Sequence, residues 1–516
     1  MSDTARIDKH DLRIENEAPE NSRLLACAAF SSGCVSPNKV GASIDTVRTA
    51  SHEQPKVSVV IPAHRQAEYL GAAIESVLKQ SYHNLELIVV NDASPDQTNA
   101  VVARYDDPRI VLIEHSENRG LPAARNSGMR VATGQIIALL DADDLFHEDK
   151  VQAHVEFLQA NPQIGVSYNA RFEIDPEGQI LALWRPATTA SFAEMVLGFP
   201  FAPSDMVLRR EWAFAVDLFD ESYKAMSEDL DINCRLALAG CQFGGIDRPL
   251  NYRRYYPNRV IRNVPDRLAG AERALNTLFE NPACPPAITA LREAAFANVY
   301  LVWSYEAFMA ELTDLAQRCL AQAVSHNPTL VAVEGAQLHE FLVDRSIQDG
   351  GDHAAAIRQV IDQLPSHMQW FAAQTQSMIA TADLRTGIRE VLWGRPEQGQ
   401  LLLKRAALTN AVVDKALLRL LVDQLLNYRL MLGDATAQLA LQRLATQLRV
   451  VATRHELRWM VGCYWLNRGL QSVRQHDYAR ARASIFQAFQ ADPTNMRNRG
   501  AWSTLLKTLK PVLSVR

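Results

Sequence analysis

Apolar positions along the chain follow two regimes. Between Val57 and Leu140 they come in short runs: Val57-Ser58-Val59-Val60-Ile61, Leu85 to Val90, Ile110 to Glu114 and Ile136 to Leu140. Each is strand-sized, and the stretches between them (Glu68 to Gln80, Ser94 to Tyr105, Leu121 to Ala132, the last stopped by Gly134) have the length and spacing of helices. Ser94-Pro95-Asp96-Gln97 has the form of a capping box with proline at the first helical position. Strands alternating with helices on short connections predict parallel pairing, hence an α/β, doubly wound, mostly parallel sheet with ligands at the carboxyl ends of its strands.

Beyond Asn169 the alternation loosens. Phe172 to Gln179 reads as a hairpin turn, Ser227 to Ala239 as a helix with an acidic first turn ended by Gly240, and Tyr252 to Pro257 closes this part. After Pro285-Pro286 the pattern is helical to the end. Ala316 to Pro328 is echoed by Ala481 to Pro493, with a looser copy at Gln400 to Asn410. Small residues at Ala316, Ala323, Ala481 and Ala488 predict close helix approach, and an Asn-Pro or Asp-Pro pair ends both full copies. The expected organisation is a flexible leader over residues 1–55, an α/β domain over 56–265 and an all-α, helical repeat-like domain over 286–516, resembling tetratricopeptide hairpins but too irregular for a tandem array. Packing or binding of a protein partner is the role expected of that last part.

At 516 residues the chain exceeds one ordinary core. Its 53 basic and 58 acidic residues are unevenly spread: Gln442 to Arg516 holds 13 Lys/Arg against Glu456, Asp477 and Asp492. A basic end of this kind suits either a solvated helical surface or peripheral contact with anionic lipid or an anionic acceptor. Seven scattered cysteines without a C-x-x-C pair fit a reducing compartment and argue against a zinc site. No stretch has membrane-span length and the first residues lack an apolar signal core, so the default location is cytoplasmic, with peripheral contact at the inner face of a membrane as an option.

The most telling chemistry is Leu139-Leu140-Asp141-Ala142-Asp143-Asp144, three carboxylates at a strand exit. Crowded anions repel, so the run suits a divalent cation with oxygen ligands, although an acidic turn reads the same way. The other strand ends also carry polar groups: Pro62-Ala63-His64 followed by Glu68, Asn91-Asp92, then Asn118-Arg119-Gly120 with Arg125-Asn126. Asp92 could accept hydrogen bonds from a nucleobase or ribose, or cap a helix. Arg119 and Arg125 offer cations for phosphates. Ser227-Glu228-Asp229-Leu230-Asp231 is either a dipole-stabilised helix start or a source of a general base.

Taken in order, these pieces resemble a family 2 glycosyltransferase of the GT-A fold over Lys56 to about Asn263. The resemblance rests on Val59-Val60-Ile61-Pro62-Ala63, Ile74 to Gln80, Val89 to Asp96, Asn118 to Gly128, the acidic run, and Phe219-Asp220-Glu221 leading to Glu228-Asp229-Leu230-Asp231 and Arg235. It implies that Pro62, His64, Glu68 and Asp92 line a nucleoside pocket and that Arg125 lies near the diphosphate. It also implies that Asp143 binds Mg²⁺ or Mn²⁺, with Asp141 on the ribose or the metal, and that Asp229 is the general base beside Glu228. Three departures stand out: His64 replaces an aromatic, Ala93 a glycine, and Tyr255-Tyr256 a histidine. No glutamine-x-x-arginine-tryptophan element follows Asp229, which disfavours a processive synthase.

The resulting expectation is an inverting, metal-dependent transfer from a nucleotide-sugar, a UDP-sugar foremost, to a hydroxyl of a glycan or lipid-linked glycan in surface polysaccharide or lipopolysaccharide synthesis, with no nucleic-acid partner. A nucleotidyltransferase is the rival enzyme, disfavoured because Pro62-Ala63-His64-Arg65 is not a glycine-rich phosphate loop. An inactive sugar- or nucleotide-binding scaffold is the rival from another class.

Overall fold

The computed structural model describes residues 54–198, 201–223, 227–256, 263–348, 351–409, 411 and 413–513. The expected leader lies outside these residues apart from Gln54 and Pro55. The α/β part runs β1 (Val57–Ala63), α1 (Ala67–Leu78), β2 (Leu85–Asn91), α2 (Thr98–Val102), β3 (Ile110–Glu114), α3 (Leu121–Val131), β4 (Ile136–Leu139), β5 (Leu145–Phe146), α4 (Lys150–Ala160), β6 (Ile164–Ile174), β7 (Ile180–Trp184), α5 (Phe192–Gly198), β8 (Val207–Arg209), α6 (Arg210–Ala215), α7 (Glu228–Leu238) and β9 (Gln242–Arg254).

The strands lie in the order β3-β2-β1-β4-β8-β6-β9-β5, with β7 on β6. β1 pairs in parallel with β2 (Val57 opposite Leu85, Ala63 opposite Asn91) and with β4, and β2 with β3. All seven residues of β1 and of β2 are buried, as parallel strands covered on both faces must be. Strand alternation divides them: Val57, Val59 and Ile61 meet Leu70, Ile74 and Val77 of α1, while Val60, Ile88 and Val90 meet Ala124 and Met129 of α3. Gly128 lets α3 come this close, since a Cβ there would sit 2.4 Å from Val60 Cγ1.

Past β4 the sheet becomes mixed: β8 runs antiparallel to β4 and β6, β9 runs parallel to β6, and β5 closes antiparallel on β9. The expected α/β sheet is thus parallel where the alternation is regular and mixed where it loosens. The expected hairpin is β6–β7. One element starts later than its sequence suggests. α2 begins at Thr98 and not after Ser94, because Asp96 is drawn into a local cluster, accepting from Ser94 Oγ (2.6 Å), Thr98 N (3.1 Å) and, across to α1, Ala67 N (3.0 Å).

The helical part begins before Pro285-Pro286. It comprises α8 (Val264–Glu280), α9 (Pro286–Thr289), α10 (Arg292–Met309), α11 (Thr313–His326), α12 (Ala336–Gln348), α13 (His353–Asp362), α14 (Thr375–Leu392), α15 (Pro396–Leu408), α16 (Lys415–Leu432), α17 (Asp434–Gln447), α18 (Arg454–Arg474), α19 (Tyr478–Ala491) and α20 (Arg499–Leu513). Both copies of the echo are the second helix of a packed pair, α11 against α10 and α19 against α18. Ala316, Ala323, Ala481 and Ala488 are fully buried, and Asn327 and Asp492 cap the turns that follow, accepting from Thr329 N and Thr494 N.

The two parts share a core. Val196, Tyr223, Leu230 and Cys234 of the first pack with Leu268, Leu275, Phe296 and Cys319 of the second. Further out, Trp393 stands edge-on to Phe172, Arg395 donates to the carbonyl of Ile180, and Asn298 to that of Leu197. Among the described residues the cysteines are unpaired and no helix is long and apolar enough to cross a membrane.

Candidate active site

The carboxyl ends of β1, β2 and β4 place the expected residues around one edge of the sheet. His64, just past β1, lies with Nδ1 2.9 Å from the carbonyl of Asp92 and 3.1 Å from Asn118 Nδ2. Pro62 is buried within β1 opposite Val90, while Glu68 is exposed in the first turn of α1. Asp92 follows β2 and is buried, and its carboxylate is engaged by its own chain. Oδ1 accepts from Arg119 N (2.8 Å) and meets His115 Nδ1 (2.7 Å); Oδ2 accepts from Gly120 N (2.8 Å). Asp92 therefore orders the loop entering α3, and any nucleoside contact shares its remaining lone pairs. Ala93 sits at φ +47°, in the left-handed region where glycine is usual.

Past β4, Asp141 has its backbone N–H on Ser204 Oγ (3.1 Å) and its carboxylate on Arg125 Nη2 (2.7 Å). Asp143 Oδ2 lies 3.4 Å from Gln66 Nε2 and 3.5 Å from the Tyr256 hydroxyl, both at the long limit of hydrogen bonding. Asp144 is buried and accepts from Arg254 N (2.9 Å); burial, followed by the charges of Asp143 and Asp141, pushes its carboxyl up to about 8. Arg254 also donates to the carbonyls of Asp143 and Asp175 and lies over the Tyr69 ring, fastening the end of β9 to the acidic tip.

Arg125 is placed otherwise than the sequence suggests. Its guanidinium is buried, with Nη1 on Glu228 Oε1 (2.6 Å) and Nη2 on Asp141 (2.7 Å), and the two carboxylates hold its pKa above the ordinary arginine value against the opposing effect of burial. A fork occupied on both sides by acids is not presented to a diphosphate. Its position joins the acidic tip of β4 to the start of α7, so Asp141, Glu228 and Asp229 belong to one site despite their separation along the chain.

α7 begins beside Ser227, which sits at φ +75°. Glu228 is buried against Arg125, and its second oxygen has no hydrogen-bond partner. Asp229 is partly buried; burial first, then the neighbouring Glu228, raises its carboxyl to about 6, with Arg125 pulling the other way. Asp231 is held by Arg235, whose guanidinium also reaches the carbonyls of Val216 and Leu218. Asp229 lines a cavity of about 880 Å³ that extends away from the acidic tip, between the β6–β7 hairpin and the helical part.

Tyr256, where the resemblance implies a histidine, comes within reach of Asp143 through its hydroxyl. His115 and Ser204 were not singled out by sequence. His115 belongs to no recognisable motif, and Ser204 acts on Asp141 from 63 residues away. Among the described residues no three His, Cys, Asp or Glu side chains converge as a ready-made metal cage. Asp143 and Asp141 form at most part of an oxygen donor set, whose hardness fits Mg²⁺ or Mn²⁺ and whose remaining positions suit phosphate oxygens and water.

Residues 58–214 match the family model Glycosyl transferase family 2. The matched segment contains β1 to β4 and the acidic tip, and ends before α7. The succinoglycan biosynthesis protein ExoO of Rhizobium meliloti is 36% identical over 161 residues, 31% of this chain and 45% of that protein. The UDP-Glc:alpha-D-GlcNAc-diphosphoundecaprenol beta-1,3-glucosyltransferase WfgD of Escherichia coli is 36% identical over 105 residues, 20% of this chain and 42% of that one. The chain thus spans less than half the length of either relative. Among solved structures, the mannosyltransferase PcManGT from Pyrobaculum calidifontis, in complex with GDP-Man and Mn²⁺, is 19% identical, with 63% of this chain and 88% of that one covered and a TM-score of 0.42.

Proposed function

We propose that this chain is an inverting glycosyltransferase that moves one sugar from a nucleotide-sugar, a UDP-sugar foremost, to a hydroxyl of a glycan or lipid-linked glycan in polysaccharide assembly. The observation that carries the reading is the Asp141–Arg125–Glu228 bridge, which sets an acid beside Glu228 with a raised pKa next to the acidic tip. The family 2 match and the named roles of the relatives support the same class.

Asp143, with Asp141, would hold a divalent cation, which when bound supplies charge neutralisation at the donor diphosphate. Pro62, His64, Glu68 and Asp92 flank the nucleoside side, Asp92 by fixing the loop that covers it. Asp229 takes the proton of the attacking hydroxyl. A pKa of about 6 leaves it ionised at neutral pH yet a better base than an ordinary carboxylate. Attack from the face opposite the leaving nucleotide inverts the anomeric centre. Arg125 holds Glu228 and Asp141 in register and keeps Glu228 from competing for the proton.

Turnover of UDP-glucose and related donors, with and without Mn²⁺, tests this directly. Wild type should release UDP in a metal-dependent way, Asp143→Ala should lose metal-dependent donor binding, and Asp229→Asn should bind donor but turn over slowly. Full turnover in both variants would overturn the roles given to Asp143 and Asp229, and donor binding without any turnover in wild type would point to a sugar- or nucleotide-binding scaffold.

The basic carboxyl-terminal helices support a peripheral membrane role. Phe486, Trp502 and Leu506 are exposed on α19 and α20, near Arg482, Arg497 and Arg499 in sequence. Sedimentation with phosphatidylglycerol vesicles, but not phosphatidylcholine vesicles, and release by salt are expected; equal recovery with both lipids would remove this part of the reading.

A further inference from the structure

The cavity beyond Asp229 is built by both parts of the chain. The β6–β7 hairpin supplies Trp184, the start of α7 supplies Ser227 and Asp229, and α10 and α14 of the helical part supply Trp303, Thr386 and Arg389. At about 880 Å³ it is larger than one hexose needs and within the range of small-ligand sites.

Its walls carry acids and arginines in nearly equal number, and in the helical part they are largely spent on one another. Arg345 pairs with Glu306, Arg395 with Glu390 and Arg405 with Asp383. Neither sign is in excess, so a strongly charged ligand gains no net field here. A polyhydroxylated ligand does better, because each hydroxyl both donates and accepts and so matches carboxylates beside guanidinium groups. Two residues of its lining carry buried polar atoms that the protein itself leaves unsatisfied. Thr386 is more than nine-tenths buried and lines the cavity, yet its hydroxyl has no hydrogen-bond partner. Arg389 Nε makes no hydrogen bond, its closest acid oxygen being Glu390 Oε1 at 3.5 Å. The rings of Trp184 and Trp303 add apolar surface of the kind that lies against a sugar face.

We infer that this interdomain cavity is the acceptor site, that it takes an uncharged glycan of at least two sugar units, and that Thr386 and Arg389 of the helical part set its specificity. The inference rests on Asp229 being the base of a glycosyl transfer. It assigns the helical part a direct share in choosing the acceptor.

Saturation-transfer NMR on the full chain tests it, with cellobiose, laminaribiose, maltose and chitobiose as neutral probes and a glucuronic-acid disaccharide as the charged one. At least one neutral disaccharide should bind and outcompete the charged one. Thr386→Val, which removes the hydroxyl without changing shape, should weaken that binding about 3- to 10-fold, and Thr386→Trp should abolish it. Leu439→Ser, at an exposed position of α17, none of whose residues lines the cavity, is the control and should bind as wild type does. UDP affinity with Mn²⁺, measured alongside, reports folding and the donor reading separately. Binding of UDP without any neutral disaccharide, preference for the charged probe, or indifference to both Thr386 variants overturns the acceptor assignment. Disaccharide binding that depends on Thr386 without UDP binding overturns the donor reading and leaves this site standing.

Discussion

In the proposed base role, Asp229 serves activity at the expense of stability. Its carboxyl is raised to about 6 from an ordinary value near 4, so its contribution to folding is fullest below pH 4 and is lost as pH rises through 6. Asp229→Asn should therefore melt higher than wild type at pH 8, by about 1–3 kcal/mol of stability, with the gain shrinking towards pH 4. The same variant should lose about 10²–10⁴-fold in turnover, and in wild type kcat/KM should climb through pH 6 to a plateau. A wild-type profile flat between pH 5 and 8 would remove Asp229 from the base role. Arg125 behaves in the opposite way: Arg125→Met strands Glu228 and Asp141 without their common cation. A loss of about 3–5 kcal/mol is expected, read as a lowered melting temperature. Sequence reading found both residues but not their relation. Asp229 was legible as an acid at a helix start, whereas the Arg125–Glu228 pair spans 103 residues, a distance no local pattern reports.

Among the elements, β1 to β4 were legible because each is a short apolar run bounded by turn residues; β1, β2 and β4 are buried on both faces, and β3 at the sheet edge is recognised by its run alone. β8 and β9 were not. β8 has only three residues, and β9 carries Gly244, Gly245 and Pro249 with register shifts against β6, so no alternation survives to be read. The turn after β2 offers a backbone test. Ala93 holds a left-handed conformation that costs a residue with a Cβ about 1–2 kcal/mol, and glycine would relieve it. After the extra freedom of glycine in the unfolded chain is subtracted, Ala93→Gly should stabilise by about 0.5–1 kcal/mol in thermal or urea denaturation. Gly128→Ala should do the reverse. Its methyl would enter Val60, and overpacking of this kind costs about 1–3 kcal/mol, so a destabilised chain with α3 displaced from the sheet is expected.

At the level of the whole molecule, the joined cores make the helical part more than an appendage. Trp393 against Phe172 and Arg395 on the Ile180 carbonyl fasten the β6–β7 hairpin to the helical part, while the shared cluster around Leu230 and Leu275 joins α5 and α7 to α8 and α10. Trp393→Ala should leave the α/β part folded but free the hairpin, costing about 1–3 kcal/mol and exposing residues 172–184 to limited proteolysis. An unchanged digestion pattern would mean that the shared cluster alone holds the two parts together. The repeat-like echo was visible in sequence through its buried alanines and terminal Asn-Pro and Asp-Pro pairs. The cavity was not, because its lining is drawn from strands and helices more than two hundred residues apart.

Under the proposed function, the Asp141–Arg125–Glu228 bridge also makes the two halves of the reaction draw on one counter-ion. When positive charge arrives beside Asp141, that carboxylate leans less on the guanidinium, which then holds Glu228 more firmly and relieves part of its repulsion on Asp229. Loading one side of the cleft thus alters the basicity available on the other, through a single rigid side chain and without any movement of the backbone.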